Sequence, residues 1–152
     1  MKPDLAVRLR PASEQDTEFA KDIHHRAYHD VTVKQFGSWN LQRQDEYFAN
    51  GWSKPDFQII ELDQTPCGYL RFEDMSGEIY IHELVIDPTY HNLGIGSYLL
   101  RRMQASAKQK NAKLTLQVLR VNRAYDLYTR EGFRRTGESE THYHLEWIAD
   151  LT

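Results

Sequence analysis

The chain has 152 residues, a formal net charge of -3 and one cysteine, Cys67. That length predicts one domain over residues 1–152, and a pI near 6.2 gives no basic field for nucleic acid phosphates. A lone cysteine excludes an internal disulfide and a cysteine zinc cluster, and suits a reducing compartment. The opening MKPDLAVRLRPA carries charges every few residues instead of a signal-peptide core, and no later run is long and apolar enough for a bilayer. The expectation is a cytoplasmic protein with neither nucleic-acid nor membrane partners.

No repeat, low-complexity tract or linker divides the sequence. Ala6 to Arg10 alternates like a strand, and Ser13 reads as the N-cap of a helix reaching about Tyr28. From Val31 to Gly51 the chain is polar, with Phe36, Trp39, Leu41, Tyr47 and Phe48 interspersed, which predicts a loop and then a shorter helix. Three strand-like runs follow Pro55, at residues 57–61, 67–72 and 78–86. The turns between them, residues 63–66 and 74–77, are short enough for antiparallel hairpins. A glycine turn leads into a helix whose Ile95, Tyr98, Leu99, Met103 and Ala107 share a face, with Arg101, Arg102 and Lys108 off it. A strand over 114–119, a helix over 123–131 and strands near 133–138 and 141–147 complete an α/β order.

The turn Tyr90-His91-Asn92-Leu93-Gly94-Ile95-Gly96-Ser97 is the most informative stretch. Between a strand and a helix it exposes amides that have no partner within the helix and carry the positive end of its dipole. Gly94 and Gly96 remove Cβ atoms where a ligand would approach the main chain, so the turn suits a pyrophosphate. A dinucleotide fingerprint would need glycine where Leu99 stands, and a Walker loop would need Lys-Ser/Thr after its last glycine. Neither is present.

Leu84-Val85-Ile86-Asp87-Pro88 with the turn through Gly96, and downstream Asn122-Arg123-Ala124 through Tyr128 to Gly132-Phe133, resemble the GNAT superfamily of acyl-CoA-dependent N-acetyltransferases. Val7 to Ala12 is similar to the first strand of many members, and the element order fits over essentially the whole chain. The resemblance implies a mixed, mostly antiparallel sheet of six to seven strands with about four helices and a central pair of splayed parallel strands. It implies acetyl-CoA as co-substrate, its pyrophosphate on the amides of His91, Asn92, Leu93, Gly94, Ile95, Gly96 and Ser97, its pantetheine along Leu84, Val85 and Ile86, and further contacts from Asn122 and Tyr125. His91 and Leu93 stand where members usually carry basic or amide side chains, so a main-chain cradle with lower CoA affinity is expected. A homodimer is a further expectation of the resemblance.

Acetyl transfer from a thioester to an amine needs a neutral nucleophile, an oxyanion site and a proton for the thiolate. Tyr128 aligns with the family tyrosine that commonly protonates the sulfur; its spacing alone would make it a core aromatic. Glu83 shares a strand face with Ile79, Ile81 and Val85, where apolar neighbours raise a carboxyl pKa and suit it to a base. Asn122 also reads as a helix N-cap, with Gly132 as the stop. Tyr28, Trp39, His82 and His142 are candidate walls of the acceptor pocket. His142 and His144, like His25 and His29, have spacing compatible with a metal, but no carboxylate or cysteine cluster accompanies them and no metal is expected. The sequence thus points to an N-acetyltransferase of a primary amine, most simply a small molecule, with a peptide acetyltransferase or a non-catalytic acyl-CoA sensor as alternatives.

Overall fold

The computed structural model describes residues 6–149. In chain order the elements are β1 (Val7–Pro11), α1 (Thr17–Phe36), α2 (Leu41–Trp52), β2 (Gln58–Leu62), β3 (Thr65–Met75), β4 (Glu78–Ile86), α3 (Ile95–Gln109), β5 (Lys113–Leu119), α4 (Ala124–Arg130), β6 (Arg134–Glu138) and β7 (His142–Trp147). Single 3₁₀ turns at Glu14–Asp16 and Pro88–Tyr90 precede α1 and α3. The strands form one seven-stranded mixed sheet in the order β1-β2-β3-β4-β5-β7-β6. β4 and β5 are parallel, paired from Glu78 with Lys113 to Ile81 with Leu116. Their ladder ends there, although β4 continues to Ile86 and β5 to Leu119.

Two compact units divide the described chain: residues 6–71 with 83–95, and residues 72–82 with 96–149. In the first, α1 and α2 cover the strands with Ala20, Ile23, Phe48, Phe57, Ile59, Tyr69 and Val85, each at most 9% exposed. Asp63 and Gln64, both at positive φ, close the β2–β3 hairpin in two residues. Gly68 on β3 has no room for a side chain, since a Cβ there would lie 2.3 Å from the Val85 carbonyl oxygen. In the second unit, Leu99, Leu100, Met103 and Ala107 of α3 are buried, as are Leu114, Leu116 and Val118 of β5 and Leu145 of β7.

The expected strands all form, and α2 is the shorter helix expected before Gly51, running one residue beyond it. α1 is longer than its sequence suggests. Val31, Thr32 and Val33 are β-branched and lower the intrinsic helix propensity, yet the helix continues to Phe36. Gly37 stops it at φ 90°, its N–H donating to the Val33 carbonyl.

Candidate active site

β4 carries the first candidate group. Ile79, Ile81 and Val85 are at most 3% exposed, and the two-residue period of the strand puts Glu83 on their face. Glu83 itself is half-buried, but the protein packed around its carboxyl pushes it up to about 7, against the opposing attraction of Arg71. At that value the group is divided between acid and carboxylate near neutrality, as a proton acceptor requires.

Glu83 lines a cavity of about 360 Å³ in the first unit, together with His24 from α1, Tyr47, Phe48 and Trp52 from α2, and Phe57 and Tyr69 beside them. Trp52 is fixed by ring contacts at 4.7 Å to Phe57 and 5.7 Å to Tyr69, and its indole N–H donates to Thr17 Oγ1 at 3.1 Å. Tyr69 is 2% exposed, and burial ahead of the nearby Glu83 holds its phenol well above the usual range, so it stays protonated. The walls thus join a cluster of aromatic rings to the polar Asn50, Ser53 and Lys54, with Glu83 the carboxyl among them.

The end of β4 is tied to α1. Asp87 accepts from both terminal nitrogens of Arg26, at 2.7 and 3.0 Å, and from the Thr89 amide at 2.9 Å, while its own amide donates to the Cys67 carbonyl. The Arg26 guanidinium holds the Asp87 carboxyl down at about 2. The chain then passes through the Pro88–Tyr90 turn to Asn92 and Gly94, both left-handed at φ 66° and 87°, before α3 opens at Ile95. Asparagine tolerates that conformation and glycine adopts it freely.

His91, Asn92 and Leu93 are exposed, and Gly96 is buried. The His91 ring donates from Nε2 to the Ile86 carbonyl at 2.9 Å. That bond draws the imidazole back to the strand. What the turn could offer a phosphate is therefore main-chain amides, among them the first amides of the fifteen-residue α3, which have no partner within the helix. The exposed, left-handed, glycine-bearing turn fits the pyrophosphate of CoA; it offers no side-chain cation of its own.

In the second unit, Tyr128 on α4 is 7% exposed and packs edge to face on Phe133 at 5.5 Å. Asn122 lies two residues before α4, and its Oδ1 accepts from the Ala124 amide at 2.9 Å, so it caps the helix from one position earlier than expected. Gly132 ends the segment at φ 93°, where a Cβ would press on the Trp147 ring at 3.3 Å. Tyr125 is half-buried, with Tyr143 at 5.2 Å.

The candidate pocket walls are dispersed. Tyr28 contacts His24 at 5.0 Å, adjoining the cavity lining. Trp39 lies in the α1–α2 connection against His25 and His29, at 5.3 and 5.2 Å, and does not line the Glu83 cavity. His82 bonds Glu73 at 3.0 Å and meets the Tyr80 ring, and His142 bonds Thr141 at 2.7 Å. Burial, then His144, lowers the His142 pKa. Among the described residues, no group of three or more His, Cys, Asp or Glu side chains is placed to hold a metal ion. Nothing local in the chain marks His24, Tyr47, Trp52 or Tyr69 as cavity walls, because they meet only through folding.

The model of the Acetyltransferase (GNAT) family matches residues 20–133. The chain belongs to that family and is a GNAT acetyltransferase. No curated protein matches it. Among solved structures it is similar to the PaiA N-acetyltransferase from Thermoplasma acidophilum in complex with coenzyme A, at 19% identity over 95% of this chain and 99% of that one, with a TM-score of 0.74. An acetyltransferase from Thermus thermophilus is 19% identical over 94% and 97%, with a TM-score of 0.68. Arabidopsis thaliana Naa50 in complex with the bisubstrate analogue CoA-Ac-MVNAL is 21% identical over 95% and 99%, with a TM-score of 0.61. These likenesses are of fold. Among the described residues no helix is long and apolar enough to cross a membrane.

Proposed function

We propose that the protein transfers the acetyl group of acetyl-CoA to the primary amine of a small molecule by direct attack, with both substrates bound. The observation that carries this reading is Glu83, a carboxyl pushed up to about 7 in a cavity it lines with a cluster of aromatic rings. Acetyl-CoA supplies an activated thioester. The amides from Asn92 to Ser97 bind its pyrophosphate, that of His91 being taken by the Pro88 carbonyl at 3.2 Å; the main chain of Leu84, Val85 and Ile86 aligns its pantetheine, and Asn122 and Tyr125 contact the cofactor arm. Glu83 accepts a proton from the amine nitrogen, and Tyr128 holds a phenolic proton for the departing sulfur.

A cavity of about 360 Å³ walled by Tyr47, Trp52, Phe57 and Tyr69 supports an amine with an apolar or aromatic body, its ammonium attracted by the carboxylate and the ring faces. A peptide amine is the second reading, favoured by the Arabidopsis neighbour's bisubstrate analogue, which carries MVNAL.

Thiol release from acetyl-CoA tests both readings, with 2-phenylethylamine and a peptide beginning Met-Val-Asn-Ala-Leu as acceptors. The expected result is faster release with the small amine, and a kcat lower by about 10²-fold or more in Glu83→Gln and in Tyr128→Phe. Full turnover by both variants, folded and CoA-binding, would overturn the assignment; preference for the peptide would favour the second reading.

A further inference from the structure

The side chains of Asp45, His25 and His24 are linked end to end and terminate in the cavity that Glu83 lines. Asp45 Oδ1 lies 2.6 Å from His25 Nε2, and His25 Nδ1 lies 2.9 Å from His24 Nδ1. An ionised carboxylate only accepts, so His25 carries a proton on Nε2. In the neutral pair His25 Nδ1 is then the acceptor, His24 donates from Nδ1, and His24 Nε2 keeps a bare lone pair. Among the described residues the hydrogen bond of the His24 ring is the one made by Nδ1, and His24 lines the cavity. Exposure rises along the series, from 4% at His24 to side-chain values of 17% at His25 and 40% at Asp45.

An alkylammonium sheds two protons on becoming an amide, and Glu83 holds one at a time. Building on the acetyltransferase reading above, we propose that His24, His25 and Asp45 are a second proton acceptor, taking the first proton of an ammonium at His24 Nε2. As that N–H bond breaks, its electron pair stays on the amine nitrogen for attack, and the His24 Nδ1 proton passes to His25 Nδ1. The positive charge comes to rest on doubly protonated His25 beside Asp45. Glu83 takes the second proton once nitrogen has bonded to carbon. The relay resets when its proton returns through His24 Nε2 to water in the emptied cavity.

The surroundings fit this division. Burial, then His25, pushes His24 down to about 4, so charge does not dwell on the buried ring. The hydrogen bond from His25 holds Asp45 below the usual carboxylate range, which keeps an anion beside the ring that receives the charge. Lys21 lies 4.0 Å from Asp45, and Trp39 and His24 meet His25 edge on. His24 is faced by Tyr28 from its own helix and Tyr47 from α2, and shares its cavity with Tyr69, Glu83 and Lys54.

The test is kcat against pH at saturating acetyl-CoA and 2-phenylethylamine, with His25→Gln and Asp45→Asn beside the wild type. Two acceptors that must both be deprotonated give an acid limb with a slope of about 2 in log kcat. In His25→Gln the slope falls to about 1 and kcat drops about 10²-fold, with KM changed less than about 3-fold. In Asp45→Asn the imidazolium loses its anion, so one ionisation moves to lower pH. A wild-type slope of about 1, or variants that change KM alone, would overturn the relay while leaving acetyl transfer standing. Asp45 is exposed enough for its variant to decide the matter if His25→Gln does not fold. Absence of thiol release from the wild type with any amine would overturn both readings.

Discussion

Arg26 and Asp87 lie 61 residues apart, and their paired contact fixes the point where β4 gives way to the turn. Because the folded Asp87 carboxyl titrates near 2 rather than at its ordinary 3.8, the folded state binds fewer protons than the unfolded one between those values. The stability it contributes is present above about pH 4 and disappears as pH falls through 2. Arg26→Ala is expected to cost about 1–2 kcal/mol at pH 7, a figure discounted because Arg26 is 43% exposed. Urea denaturation checks this: the gap between wild type and variant should close in acid, and an equal gap at pH 7 and below pH 3 would contradict it. No sequence rule joins these residues, since arginine and aspartate are common and their pairing depends on how α1 crosses the end of β4. Glu83 was legible for the opposite reason. Its alternation with Ile79, Ile81 and Val85 is local, and that alternation alone predicts both its burial and the direction of its shift.

At the scale of elements, the β4–turn–α3 unit was legible because its signals are consecutive: an apolar strand, Asp-Pro, two glycines and an amphipathic helix. What the sequence did not reveal is the bond of His91, whose ring returns to the Ile86 carbonyl. Gly94 is left-handed at φ 87°, so Gly94→Trp both strains the turn and fills the approach to its amides. Isothermal titration with CoA is expected to show saturable binding by the wild type and at least about 10-fold weaker binding by the variant. Equal affinity in a folded variant would remove the turn from the cofactor site. The length of α1 was not legible, because packing and the Gly37 stop outweigh the poor propensity of Val31, Thr32 and Val33. α4 was legible to within a residue at each end, and Asn122 caps it through the Ala124 amide without occupying the N-cap position.

For the whole molecule, the order of strands and helices follows from the sequence, and the parallel β4–β5 pair sits within an otherwise largely antiparallel sheet as the family resemblance implied. The cavity that Glu83 lines was the part that escaped. Its walls come from α1, α2, β3 and β4 and the loop before β2, so no window of sequence contains it. Trp39 looked like a wall because a large aromatic in a polar loop must pack on something, and the partners it found are His25 and His29. The central claim is that Glu83 receives an amine proton in that cavity. The pH dependence of kcat from pH 5 to 9, measured by thiol release for wild type and Glu83→Gln, tests it most directly. Since the base must be ionised, wild-type kcat should fall as pH drops through about 7, and Glu83→Gln should be slower by about 10²-fold or more at pH 8 and lack that ionisation. A folded Glu83→Gln variant with the wild-type rate and the same acid limb would contradict the account.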